Sequence, residues 1–408
     1  MKTQRFPALR YRDFRLLWLG LLISNTGSHM QFAAINWHIF IVTHSALALG
    51  LIGLSRFVPI VIFSLIGGAV ADAHNRKKIL LITQISLTLL SLILAVTTLT
   101  HTVTPFLIYA ITALSAVALA FDSPPRQAFI PSLVGKEHLA NAMSLNVIMF
   151  QTSMMVGPAL AGIIISQFGI GTVYLLNAIS FSAVISALLL MKTSGEIEGT
   201  PSRVSFHAVL EGLAFVKSKT IIWSTTLLDF FSTFFASATA LLPIFAHEIL
   251  QVGPMGFGFL YAAPSIGAVI AGYVLAHMGT IKRQGKVLLA SVALYGVATI
   301  AFGLSKTFAF SFLALFLVGM GDSVSTVIRN TIRQLTTPDY IRGRMTSVNM
   351  IFFMGGPQLG EFEAGVLAAA FGGPLSVVIG GIGALVATAI IAAKIPVLRN
   401  YTGEKAAT

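Results

Sequence analysis

The chain has 408 residues, 56% of them apolar and only 10% charged, with a net charge of +12. Soluble domains carry roughly 25% charged residues, and a single core stops growing near about 250–300 residues, so a water-soluble fold could not hide this much apolar surface. No cysteine is present, which excludes disulfides, thiol chemistry and thiolate metal sites.

About 20 apolar residues in an α-helix span the hydrocarbon layer of a bilayer. Runs of that kind predict helices over 14–42, 46–71, 79–100, 105–127, 137–168, 171–191, 221–249, 255–278, 285–305, 307–333, 339–371 and 373–393. Strands of a membrane barrel would be shorter and would alternate in polarity. The first residues are basic and the first apolar run is long without a small-residue cleavage site, so no removable signal peptide is expected.

The basic residues fall on alternate connections. Lys2, Arg5, Arg10, Arg12 and Arg15 precede the first helix, and Arg76, Lys77 and Lys78 follow the second. Arg126 and Lys136 follow the fourth, and Lys192, Arg203, Lys217 and Lys219 follow the sixth. Lys282, Arg283 and Lys286 follow the eighth, and Arg329, Arg333, Arg342 and Arg344 flank the tenth connection. Lys394, Arg399 and Lys405 close the chain. Lys306 lies on the opposite side and Arg56 inside a helix. The positive-inside rule then predicts cytoplasmic termini and an even number of spans. The charge belongs to topology, so nucleic acid is not an expected partner.

The stretch 192–220 is polar and contains Gly195, Gly199 and Pro201. Phe206, Val209, Leu210 and Leu213 predict a short amphipathic helix over 204–217, lying on the membrane surface. Three regions follow: a six-helix bundle over 1–191, a cytoplasmic linker over 192–220, and a second bundle with a short tail over 221–408. The bundles repeat. Arg126 and Arg329, Ser144 and Ser347, Asn146 and Asn349, and Gly162 and Gly365 share one offset. Duplicated six-helix units suit a transporter in which one repeat moves against the other.

The second loop reads GGAVADAHNRKK, from Gly67 to Lys78. It resembles the signature loop of the major facilitator superfamily at Gly68, Asp72, Arg76 and Lys77. Ala73 replaces the family's first basic residue, and Asn75 replaces its second glycine; asparagine is expected to preserve a left-handed turn. The resemblance implies a gate on the cytoplasmic face in which Asp72 pairs with a base of the fourth helix, here Arg126, close to Asp122. In the second half Ala276 stands where that Asp would be, and Arg329 matches Arg126. The stretches FDSPPRQAFIP (Phe121–Pro131), VGPALAG (Val156–Gly162), EGLAFVKS (Glu211–Ser218) and GGPQLGEFEAG (Gly355–Gly365) are similar to the enterobactin-exporter and drug-exporter branch. By that likeness Gly157, Pro158 and Gly162 form the bend motif of antiporters; physically they allow close packing and a kink. The implied fold is an all-α membrane protein of twelve helices in two pseudo-symmetric bundles.

Ionised groups inside a membrane are costly unless paired or wetted. Asp229, Asp322, Glu361 and Glu363 lie well inside predicted helices, and Arg56 is the base at depth. Arg56 and Glu361 each lie about ten residues from an outer helix end, hence roughly 15 Å deep. An ion pair from Arg56 to Glu361 or Glu363 is therefore expected. Asp229 is expected to carry the coupling proton, or else to be a packing residue bonded to Ser232. Asn25 and His29 are candidates for a polar cavity, beside Gln31, Asn36 and His38. No His-Glu-x-x-His, Gly-x-Ser-x-Gly or phosphate-loop motif appears, so neither an enzyme nor ATP drive is expected. The expected function is proton-coupled export of a siderophore or amphipathic drug by alternating access, from a monomer in a bacterial inner membrane with no cofactor or metal. The alternatives are an importer of a small metabolite and, from another class, a membrane-embedded enzyme or receptor.

Overall fold

Every regular element in this computed structural model is helical among the residues it describes, 6–196, 206–279, 281–338 and 341–403. A 3₁₀ turn at Pro7–Arg10 leads into α1 (Arg12–Thr43), α2 (Ala46–Ala73), α3 (Arg76–Leu99), α4 (Pro105–Phe129), α5 (Leu139–Phe168) and α6 (Ile170–Leu190). Then follow α7 (Phe206–Ser218), α8 (Thr220–Phe235), α9 (Leu242–Ile244), α10 (Gly253–His277), α11 (Gln284–Gly303), α12 (Phe308–Thr336), α13 (Arg342–Phe371), α14 (Gly373–Lys394) and α15 (Pro396–Arg399). Among the described residues, ten helical segments are long and apolar enough to cross a membrane. The other two expected spans are α1, of 32 residues, and α13, of 30. Both are long enough but carry polar residues through their middles, Gln31 and Asn36 in α1 and Glu361 and Glu363 in α13.

Local chemistry explains the ends. Thr104 caps α4 by accepting from the Leu107 N–H at 3.3 Å, and Pro105 follows where its missing N–H costs nothing. Gly169 and Gly372, again at the offset of the repeat, end α5 and α13 with φ of 83° and 85°. A side chain would be strained there.

The seventh span departs from the unbroken helix expected over 221–249. It is α8, a 3₁₀ turn at Ala238–Leu241, α9, and a π turn at Phe245–Ile249. Pro243 has no N–H to continue the ladder, and its ring crowds the carbonyl four residues back. Nearer the end of α8, the Ser232, Thr233 and Ser237 hydroxyls donate to the carbonyls of Asp229 and Thr233.

The helices fall into two units, Met1–Val42 with Val58–Val204, and Thr43–Phe57 with Ser205–Thr408. In the first, α3 packs on α4 and α6, and Phe14, Leu17, Phe129, Leu145 and Leu188 are buried in one cluster. In the second, α11 packs on α12 and α14, α10 on α12, and α8 on α13. Glycines set the close approaches: Gly267 and Gly319 lie directly against backbone carbonyls of Phe316 and Pro264 across α10 and α12. The start of α2 belongs to the second unit because Gly50 and Gly53 pack on α13 at Glu361 and Gly365.

The amphipathic helix expected over 204–217 is α7. Phe206, Val209 and Leu210 lie outside the described side chains. Leu213 and Phe215 pack with Val216, Ile222, Met345 and Val348, so α7 docks on α8 and α13 instead of only resting on lipid.

Candidate functional site

In α12, Asp322, Thr326, Arg329 and Arg333 recur at spacings of four, three and four, which puts them on one helical face. That face meets Asp229 of α8. Arg329 Nη1 lies 2.8 Å from Asp229 Oδ1, and Nη2 lies 3.8 Å from Asp322 Oδ1. Nη2 also donates to Thr326 Oγ1 at 2.8 Å. Arg329 and Asp229 are 2% and 3% exposed, whereas the Asp322 side chain is 49% open. One guanidinium thus serves two carboxylates, one buried and one half exposed. Arg333 bonds to Asn330.

This arrangement changes two expectations. Arg329, matched to the cytoplasmic gate by resemblance, sits in the interior cluster. Asp229, expected as a lone carboxyl available to a proton, instead has a buried arginine beside it. Ser232 bonds the Asp229 carbonyl and not its carboxylate.

The second charged group joins α2 to α13. Glu361 lies against Gly53, one turn before Arg56: a Cβ at Gly53 would lie 2.9 Å from Glu361 Cβ and 3.2 Å from Oε2. Arg56, Glu361 and Tyr261 interact electrostatically. Glu363 points elsewhere, two positions along, and its buried Oε2 accepts no hydrogen bond from a described residue.

Within the first unit, Asp122 is 1% exposed and fully engaged. Its Oδ1 accepts from Thr83 Oγ1 at 2.8 Å and Gln84 Nε2 at 2.9 Å, and Oδ2 lies 3.0 Å from Arg126. Arg126 therefore pairs with Asp122, one turn away, rather than with Asp72 as expected. Sequence reasoning missed Thr83 and Gln84; two adjacent polar residues inside an otherwise apolar run were the available signal.

The signature loop is tied down by its backbone. Arg76 Nη1 donates to Ala128 O, Lys77 Nζ to Met191 O, and the Arg76 N–H to Gly195 O. Asn75 is not left-handed. At φ −55° it caps α3, accepting from the Lys78 N–H at 3.1 Å. A capping oxygen is what the helix start needs there. Asp13 completes this end by accepting from Lys192 N, Thr193 N and Thr193 Oγ1. Burial alone would raise its pKa, but these bonds outweigh it and hold the carboxyl below its usual value.

The structure separates the two loop glycines. A Cβ at Gly68 would meet nothing within 4 Å, whereas one at Gly67 would strike the Ala120 carbonyl. The steric demand lies at Gly67, although the motif match falls on Gly68. Gly67→Ala should therefore cost about 1–3 kcal/mol by overpacking, and Gly68→Ala should be silent. Thermal unfolding of the two purified variants checks this, and equal midpoints would contradict it.

On α1, Asn25 donates to Leu21 O, and His29 packs edge-on to Phe150 with its Cβ against Gly157 of α5. The stronger polar link was not singled out from sequence: buried Asn177 of α6 donates to Gln31 Oε1 at 2.9 Å and Ser91 Oγ at 3.3 Å. Gly157 and Gly162 are buried, and α5 runs on through Pro158. A groove of about 520 Å³ along α3 and α4 is lined by Ile82, Leu89, Leu114 and Phe121. Its apolar walls suit an acyl chain more than a polar solute.

Residues 3–406 match the family described as transmembrane secretion effector. The chain is 28% identical to the staphyloferrin A transporter of Staphylococcus aureus, over 82% of this chain and 83% of that one. It is 24% identical to the enterobactin exporter EntS of Salmonella choleraesuis, over 95% of this chain and 93% of that one. A bacterial homologue of the lysosomal transporter Spinster, solved inward-facing and occupied, superposes with a TM-score of 0.75 at 15% identity, covering 96% and 99% of the two chains. A multi-pass helical protein with buried, shared charges and this family match is a secondary transporter and not an enzyme; the chain belongs to the transmembrane secretion effector family of the major facilitator superfamily.

Proposed function

We propose that the chain is a proton-driven exporter of a siderophore or a similar amphipathic molecule, with Asp229, Arg329 and Asp322 as its coupling group. The carrying observation is the buried Arg329 shared between two carboxylates of unequal exposure. Protonating either acid weakens its hold on the guanidinium and shifts Arg329 toward the other, a two-state element that a proton can bias. The named activities of the staphyloferrin and enterobactin relatives supply the substrate class. The positive-inside pattern supports cytoplasmic termini in a bacterial inner membrane, and the shared offset of Gly169 and Gly372 supports two six-helix repeats in twelve spans. A monomer suffices.

The test uses purified protein in liposomes loaded with a catecholate or citrate-type siderophore under an imposed pH gradient. Wild type should move the siderophore against the proton gradient. Asp229→Asn should still bind it but lose the gradient-driven component. Movement that ignores the gradient in wild type, or full gradient-driven transport by Asp229→Asn, would overturn the reading. Movement in the opposite sense, with the protons, would select the importer.

A further inference from the structure

The acids expected at depth in the second unit can be taken one by one. Asp229 and Asp322 share Arg329. Glu361 interacts with Arg56. Glu363 has no ion-pair partner among the described residues, and its Oε2 is buried without a hydrogen bond. An unpaired carboxylate in an apolar interior is costly, and a carboxyl so placed avoids that cost by keeping a proton.

The surroundings of Glu363 are distinctive. Gly356, Gly360 and Glu363 follow at spacings of four and three, so they lie on one face of α13. A Cβ at Gly356 would meet Thr233 Oγ1, and one at Gly360 would meet the Phe234 carbonyl and Ser237 Oγ. That stripe runs up α8 toward the point where the seventh span stops being an α-helix. The 3₁₀ turn Ala238–Leu241 also packs on α13, and Ser237 Oγ bonds to Pro357 O at 3.1 Å. Interrupted helices at membrane depth are tolerated where they line a cavity, and they build ion sites in transporters.

We propose that Glu363, facing the break in the seventh span, is a proton-binding site distinct from the Arg329 cluster and is occupied by a proton at neutral pH in this conformation. This rests on the proton-driven reading above and names a second residue for it. Among the described residues no neighbouring element forms an ion pair with Glu363; the π turn that ends the span carries His247 and Glu248. From α8 the ionisable residue is Asp229, committed to Arg329, and 238–241 carry none. On α14 the ionisable residue is Lys394, at the far end. The start of α2 brings Arg56, engaged with Glu361. Glu211 and Lys217 of α7 belong with the opposite end of α13, where Val216 packs on Met345 and Val348.

Infrared difference spectroscopy of the full-length protein in liposomes, titrated between acid and alkaline pH, reads the proton directly. A protonated-carboxyl C=O band should persist at neutral pH in wild type and in Asp229→Asn, and vanish in Glu363→Gln. Glu363→Asp keeps a carboxyl and should shift the band, which preserves the test if the amide variant does not fold. Each unit of pH gradient is a factor of about ten in proton activity, and Glu363→Gln should lose the part of that gain carried by this site while siderophore exchange at equal pH continues. A band unchanged in Glu363→Gln and unshifted in Glu363→Asp overturns the proposal even if transport proves proton-driven. A band that behaves as stated in a protein indifferent to pH gradients keeps the protonation site and removes the transport reading instead.

Discussion

Arg329→Gln should lower stability by about 3–5 kcal/mol and abolish transport, the largest effect of any single substitution in the second unit. The cause is the group left behind more than the group removed. Asp229 is 3% exposed, so without the guanidinium at 2.8 Å it must either hold an uncompensated charge or take up a proton. Asp322 is half exposed and lies 3.8 Å from Arg329, so Asp322→Asn should cost less stability than the loss of Arg329. The double variant Asp229→Asn with Arg329→Gln removes both charges. It should recover most of the lost stability while remaining inactive, because shape is restored but the shared ion is not. Thermal unfolding in detergent for the two singles and the double closes a mutant cycle, and transport in liposomes is measured alongside. A cycle with no interaction energy beyond about 0.5 kcal/mol would show that the two charges do not act as a pair.

The sequence disclosed the solvent of this chain more readily than its pairs. Apolar run length and basic loops placed the helices to within a few residues, because both follow from the bilayer and need no tertiary contact. Glycine ends were legible for the same reason: Gly169 and Gly372 mark their helices through a backbone preference local to one residue. The partners of Arg126 and Arg329 were not legible. Each base had several acids within plausible reach, and helical phase decided among them: Asp122 sits one turn before Arg126, and Asp322 two turns before Arg329. Asp229 entered from another helix, a choice that packing makes and spacing does not. The family resemblance misdirected two residues in the same way. It drew attention to Gly68, where a side chain fits, and away from Gly67, where it does not. It also made Asn75 a turn residue when its carboxamide oxygen was needed as a cap. The break in the seventh span was foreshadowed by Pro243 alone, inside a run whose hydropathy otherwise reads as continuous.

Gly365→Ala should cut transport by about tenfold or more, and Gly365→Leu should abolish it, through the contact between α2 and α13. A Cβ at Gly365 would lie 2.7 Å from Gly50 Cα and 2.8 Å from Ala46 O. Carbon atoms prefer about 3.5–4.0 Å, so the two backbones would have to part by roughly 1 Å. Neither side can yield by turning a side chain, because the atoms met are backbone. The strain should cost about 1–3 kcal/mol, and each 1.4 kcal/mol on a required conformation is about tenfold in its population. The separation would be felt one helical turn along, where Gly53 admits Glu361, which interacts electrostatically with Arg56. Gly272→Ala in α10 is the matched control, since a Cβ there meets nothing within 4 Å. Replacing Glu361 by Gln in the Gly365→Ala background tests the link between sterics and charge. If the alanine acts by pulling Glu361 from Arg56, the second change should add little further loss; if the two losses multiply, the close approach matters for packing alone. Transport by Gly365→Ala equal to that of Gly272→Ala would mean that α2 and α13 need not touch as closely as the structure shows.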